Sequence, residues 1–142
     1  MAFSQIRFLT EAVSAVRAEG GLLIADEVQP GFGRTGVMWG FERHNLHPDI
    51  ITMGKPMANG YPVSAMATRP GILSRFCEDI GYFNTFGGTP VSAAAGLAVL
   101  DVIADEGLIE NAEKIGYYLL NQLEVVAETD ARIGAVRGAG LF

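Results

Sequence analysis

Ile6, Leu9, Val13 and Val16 recur at intervals of three and four residues, which places their side chains on one face of a helix. Gly20 and Gly21 end that pattern, as glycines do at helix C-termini. Leu22 to Ala25 follows as a short, wholly apolar run, which suits a strand covered on both faces. Asp49 to Met53 predicts a second such strand, and Val63 to Thr68 a third after the turn Ala58, Asn59, Gly60. Residues 26–48 are rich in Gly and contain Pro30 and Pro48, so they predict a long loop with one helical turn near Trp39 to Arg43. Loops of that length in compact domains are usually functional or disordered.

Further along, Thr89 followed by Pro90 predicts a helix start, with Thr as the cap and Pro at the first helical position. That helix runs to about Glu106 and stops at Gly107; Val91 to Val102 is apolar on nearly every side, which predicts burial. Leu108, Ala112, Ile115, Leu119, Leu123 and Val126 mark one face of a more ordinary amphipathic helix. The tail AVRGAGLF predicts the beginning of another strand. A helix feeding a buried strand, repeated with further strands and helices, points to an α/β layered fold.

A chain of 142 residues accommodates one ordinary domain or part of one. Hydrophobic residues make up 49% and charged residues 18%, and the mean hydropathy is +0.26. This is more apolar than a typical small soluble domain, so the chain is expected to bury surface against something else. The net charge of −6 argues against binding a phosphate backbone. The single Cys77 can form neither an internal disulfide nor a CxxC pair, which fits a reducing cytoplasm. Met1 to Thr10 has no basic segment leading into an apolar one, and no uncharged stretch approaches a membrane span.

The segment LLIADEVQPGFGRTG, residues 22–36, admits three chemistries. Gly31, Gly33 and Gly36 have the spacing of a dinucleotide fingerprint. That fingerprint needs a glycine at the strand end and a helix at once afterwards, to seat a pyrophosphate on the helix N-terminus. Here Asp26 to Pro30 intervene, and Val37, Met38, Trp39 and Gly40 open a helix poorly, so the fingerprint is rejected. An acidic strand end for a nucleotide-bound magnesium needs a GxxxxGK[ST] loop. The only GK, Gly54 and Lys55, precedes Pro56 and lacks the upstream glycine.

The third possibility is a carboxylate set against a cofactor ring. Taken singly, Asp26 reads as a loop cap and Lys55 as a solvated lysine. Both, however, follow short apolar strand candidates, and ligands of open α/β sheets bind beyond the carboxyl ends of parallel strands. A lysine partly desolvated there can form a Schiff base with an aldehyde cofactor. Pyridoxal phosphate also requires a carboxylate that keeps its pyridine nitrogen protonated, so that the ring accepts electrons. Opposite unit charges about 4 Å apart attract by roughly 4 kcal/mol at an effective dielectric near 20, enough to hold such a ring cationic.

At these residues the chain resembles the class III pyridoxal-phosphate-dependent aminotransferases of fold type I. The stretches LLIADEVQPGFGRTG, PDIITMGKPMANGYPVSA and YFNTFGGTPVSAAAGLAVLDVI carry the resemblance, with 29 residues from Asp26 to Lys55. Within the family, KPMANGYP and YFNTFGGTPVS look most like the branch of alanine-glyoxylate aminotransferases and ethanolamine-phosphate phospho-lyases. The resemblance implies that Asp26 pairs with the pyridine nitrogen, Val28 packs on a ring face, Gln29 contacts the ring hydroxyl side and Lys55 carries the cofactor as an imine. Thr85 would bind the cofactor phosphate of the neighbouring subunit in a homodimer with shared sites. Gly31, Gly33 and Gly36 would only shape the loop. The reaction implied is amino transfer from an amino acid or amine to a 2-oxo acid or aldehyde, with phospho-lyase elimination or a catalytically incomplete fragment as alternatives.

The chain departs from the family pattern at Thr89, where Asn is usual, and at Ala58, where Gly is common. It also looks like only the middle-to-late part of the family's sequence. Residues 1–128 are expected to belong to the cofactor-binding large domain, a mostly parallel sheet with flanking helices, and residues 129–142 to begin the small domain. The Gly/Ser-rich phosphate loop, a ring-stacking aromatic residue and an arginine for the substrate carboxylate have no counterpart here. His44 and His47 lack a third ligand at metal spacing. Trp39, Phe41, Tyr82 and Phe83 are assigned to packing. Glu27 is assigned a structural role, and Arg34 an ion pair with Glu27 or Glu42 in preference to a substrate anion.

Overall fold

The computed structural model describes residues 6–142; Met1 to Gln5, part of the segment searched for a leader, lie outside them. Helix α1, Ile6–Ala18, ends before Gly20 and leads into strand β1, Ile24–Asp26. Strand β2, Ile50–Met53, lies beside β1, and β3, Ala65–Thr68, lies on the other side of β2. Helices α2, Pro70–Asp79, α3, Pro90–Asp105, and α4, Leu108–Thr129, complete the described elements, with one-turn 3-10 helices at Gly40–His44 and Lys55–Ala58.

The β1 and β2 strands are parallel, with Ile24 opposite Ile50 and Asp26 opposite Thr52. Glu27 N–H extends the ladder by one bond, donating to Thr52 O at 2.9 Å. In contrast, β3 runs antiparallel to β2, with Ile50 opposite Thr68 and Met53 opposite Ala65. Only residues 54–64 join these two strands, and a parallel return needs a crossover of a dozen residues or more. The expected α/β layering holds, and β3 is its antiparallel member.

Asp49 ties the far end of the sheet together. Its side chain is only 6% exposed, accepts Leu23 N–H at 2.8 Å, and pairs with the guanidinium groups of Arg17 and Arg69. The C-terminal turn of α1, the start of β2 and the residue before α2 thus meet at one carboxylate. Those three contacts, led by the Leu23 N–H, hold its pKa below the ordinary carboxylate value against the cost of desolvation.

The long loop is closely packed on α4. A Cβ on Gly36 would come within 2.9 Å of Glu113 Cβ, and the residue sits at φ +83°, a left-handed conformation open to glycine. Gly116, inside α4, lies beneath the Gly140 carbonyl so closely that a Cβ there would run into it. Leu141 N–H donates to Arg34 O at 2.9 Å. Loop, helix and tail therefore meet along a seam of small residues that includes buried Ala112 and Ala139.

The tail does not form the expected strand. Ala139 and Phe142 exchange backbone hydrogen bonds at 3.1 Å in a tight turn, and Gly140 at φ +55° cannot continue an extended ladder. The buried helix expected after Pro90 is also corrected: α3 starts as predicted, with Thr89 Oγ1 accepting Ser92 N–H at 3.3 Å, yet none of its residues is buried. It packs on the Lys55–Ala58 turn and on α4, while the rest of its apolar surface has no covering layer in this chain. Leu97 is 61% exposed, and Ile24 on β1 is 58% exposed, so the strand expected to be covered on both faces is covered on neither throughout. The sequence pattern gave no assignment for α2, which opens with Pro70 in the first turn.

Candidate active site

Because β1 and β2 are parallel and in register at Asp26 and Thr52, their carboxyl ends open side by side. Asp26 is the last residue of β1 and is exposed. Its Oδ1 accepts Val28 N–H at 3.1 Å and the Thr52 hydroxyl at 3.4 Å. Among the described residues no hydrogen bond reaches Oδ2, which leaves that oxygen available to another donor.

Lys55 follows β2 after Gly54. Its backbone stands at φ +40°, the left-handed region that a residue with a long side chain seldom occupies and that costs about 1–3 kcal/mol. Its ammonium donates to Gln29 Oε1 at 3.3 Å. Lys55, Gln29 and Val28 share the wall of a cavity of about 910 Å³ with Arg34, Asn59 and Phe142. The structure therefore gathers Val28, Gln29 and Lys55 at one place, with Asp26 at the adjoining strand end outside that lining. Thr85 lies apart in the exposed turn 85–88, where Asn84 Oδ1 accepts Phe86 N–H at 3.2 Å.

Glu27, next to Asp26, faces the other way. It is 2% exposed, and its two oxygens accept Gly40 N–H at 2.7 Å and Phe41 N–H at 3.0 Å. Burial raises the pKa of this carboxyl above its ordinary value; the two backbone donors oppose the rise, and the charges of Glu42 and Asp26 add to it. Gly36 is followed by bends, with no helix before Gly40, so the three glycines do not present a helix N-terminus to a pyrophosphate.

The ion pair assigned to Arg34 is not present. Glu27 is engaged by backbone, Glu42 accepts Trp39 N–H at 2.9 Å, and no ion pair with another described residue holds Arg34. Its neighbour Thr35 is held instead, its carbonyl accepting Arg43 Nη1 at 2.8 Å. Trp39 packs edge-on to Phe32 at 5.2 Å and stacks with Phe41 at 6.5 Å, in line with their packing role. Tyr82 touches Phe76 at 6.0 Å, but Phe83 is 84% exposed and packs against little in this chain. Sequence reasoning missed Asn59 and the tail as cavity walls. The signal for Asn59 was the turn in MANG, taken only as a turn.

Among the described residues no three His, Cys, Asp or Glu side chains converge to hold a metal ion, and no helix is long and apolar enough to cross a membrane. Residues 1–142 match the family described as Aminotransferase class-III. The chain is 53% identical over 138 residues to alanine-glyoxylate aminotransferase 2 homolog 2, mitochondrial, of Arabidopsis thaliana, covering 95% of this chain and 28% of that protein. It is 47% identical over 136 residues to human alanine-glyoxylate aminotransferase 2, mitochondrial, covering 95% of this chain and 26% of that one. A solved phospholyase from Arthrobacter, in complex with phosphoethanolamine, is similar at TM-score 0.89 and 47% identity, over 94% of this chain and 32% of the other. The chain thus spans between a quarter and a third of the length of these relatives.

Proposed function

The chain belongs to the class III aminotransferase family, and we propose that it carries the lysine and carboxylate half of a pyridoxal-phosphate site for amino transfer. The observation that carries this is Lys55, held at φ +40° beyond the β2 strand end with its ammonium on Gln29. The donor set fits the cofactor: a primary amine, an open carboxylate oxygen on Asp26 and an amide on Gln29 stand at neighbouring strand ends.

Pyridoxal phosphate, when bound, supplies an aldehyde to a lysine amine and a ring that accepts electrons. Lys55 Nζ would hold the cofactor and, when free, would take the proton from the substrate carbon and return it. The Asp26 carboxylate would keep the ring nitrogen protonated. Gln29 and Val28 would help hold the cofactor, and Thr85 would hold the phosphate of the cofactor bound by a partner subunit of a homodimer. Residues 1–128 form part of the large domain and residues 129–142 begin the small one. The acceptor is a 2-oxo acid or aldehyde.

Elimination of a β-substituent from the same substrate carbon is the second reading, supported by the likeness to the phosphoethanolamine-bound phospholyase. An exposed free Cys77 suits a reducing compartment such as the cytoplasm. Borohydride treatment of a longer protein containing this segment, in the presence of pyridoxal phosphate, is expected to leave the reduced adduct on Lys55. Its appearance on any other lysine defeats the assignment.

A further inference from the structure

Asp26 of β1, Thr52 of β2 and Met66 of β3 stand in one row across the sheet, paired in register. Neighbours in such a row place their side chains on the same face, so Thr52 has a carboxylate on one side and a thioether on the other. Asp26 alone in that row offers an oxygen to the Thr52 hydroxyl, and it accepts from it at 3.4 Å. The bond is long for O–H···O. What fixes the pairing is the register, which Glu27 N–H secures by donating to Thr52 O at 2.9 Å.

The two donors to Asp26 come from different elements and fall on one oxygen. Val28 N–H, in the turn after β1, reaches Oδ1 at 3.1 Å, and the Thr52 hydroxyl reaches the same atom from the neighbouring strand. An ionised carboxylate has about four acceptor positions shared between its oxygens, so these two donors fill Oδ1 and leave Oδ2 whole. One donor alone would let the carboxylate rock about that bond; two from separate elements set its plane. Valine suits a strand as well as threonine does, so the strand itself does not require this hydroxyl.

We propose that Thr52 is the positioning residue of Asp26: its hydroxyl occupies Oδ1 and holds the carboxylate so that Oδ2 stays free for the protonated ring nitrogen of the cofactor. This deepens, and rests on, the reading of Asp26 as the partner of that nitrogen. Thr52 is not part of the lining of the cavity beside Lys55 and acts only through the carboxylate, as groups that support a reactive side chain do.

The test uses a longer protein containing this segment, with Thr52→Val, Thr52→Ser and Asp26→Asn. Cofactor-free crystal structures should show a single Asp26 carboxylate orientation in the parent and in Thr52→Ser, and a rotated or split carboxylate in Thr52→Val. With pyridoxal phosphate, Thr52→Val is expected to lower kcat about tenfold, the worth of a hydrogen bond to a charged group, with KM little changed, and Thr52→Ser to retain most of the parent's turnover. Adding Thr52→Val to Asp26→Asn should cost no further turnover, because the charge that the hydroxyl directs is already gone; a merely structural threonine would show the same loss in either background. Thr52→Ala takes the place of valine in every comparison should Thr52→Val fail to fold. An unmoved carboxylate, an unchanged kcat, or an equal loss in the Asp26→Asn background overturns the proposal. Near-normal turnover in Asp26→Asn alone would instead overturn the cofactor role of Asp26, while the cofactor-free structures would still decide whether Thr52 sets the carboxylate, so the two failures are told apart.

Discussion

Asp26 and Glu27 are consecutive carboxylates with opposite environments: Asp26 is exposed at the strand end, whereas Glu27 is buried on the N–H groups of Gly40 and Phe41. The strand's alternation of side-chain direction separates them. One acid is left free for a ligand, and the other fastens the loop that follows.

Exchange of each acid for its amide should therefore read differently. In a longer protein containing this segment, Asp26→Asn is expected to keep the fold and to lose turnover by about a hundredfold or more, as when a preorganised charge is removed from a reaction centre. Glu27→Gln sets an amide N–H₂ against one backbone donor and should cost about 1–3 kcal/mol of stability. Near-normal turnover in Asp26→Asn, or unchanged urea denaturation in Glu27→Gln, contradicts the division of roles.

Asp49 governs an acid limb of stability. Its pKa is depressed in the folded chain, first by Leu23 N–H and then by Arg69 and Arg17. The stability it contributes is present above the unfolded carboxylate value of about 3.9 and is lost as pH falls through the lower folded value. Thermal melts from neutral pH down to about pH 3 should show that loss, and Asp49→Asn should lower the midpoint at neutral pH while flattening the acid limb.

Thr35 is buried, and its hydroxyl has no hydrogen-bond partner among the described residues. Valine has nearly the same shape and no polar atom to desolvate, so Thr35→Val is expected to equal the parent or exceed it by up to about 1 kcal/mol. A clear loss in urea denaturation would mean that the hydroxyl is satisfied in solution.

Thr85 should act in trans. Mixing a Thr85→Ala subunit with a Lys55→Ala subunit of the longer protein should restore one working site per hybrid dimer. Activity no higher than that of either parent, with hybrids verified, would assign both residues to one subunit's site.

The 142-residue chain alone should be a poor aminotransferase that self-associates. Leu97, Val91 and Tyr117 are 61%, 59% and 69% exposed, and covering each large apolar side chain is worth about 1.5–3 kcal/mol. Light scattering and an amino-transfer assay from alanine decide this. A monodisperse preparation with robust turnover is the contrary result.

The parts of the fold that could be read from sequence were those with local causes. The β1 and β2 strands were visible as apolar runs ending in polar residues, and α3 in the Thr89 cap and Pro90. Long-range pairings left no such trace: Asp49 meets Arg17 and Arg69 across 32 and 20 residues, and nothing near Asp49 in the chain announces either. Apolar character overstated the burial of α3 because hydropathy records what a helix can cover, without supplying the partner. The tail was misread because Val136 and Leu141 resemble strand positions until the left-handed turn at Gly140 is known. The family resemblance singled out Val28, Gln29 and Lys55, which the structure gathers at one cavity, whereas the ion pair preferred for Arg34 fails because Glu27 is taken by backbone donors thirteen and fourteen residues away.

The left-handed backbone of Lys55 makes this position a compromise that stability alone would not select. Asparagine and glycine occupy that region of φ at lower cost, so drift toward either would relax the polypeptide while deleting its amine. A copy of this segment with no need of the amine would be free to settle into a sturdier turn here, so lysine at this position is expected to persist only where its amine is used.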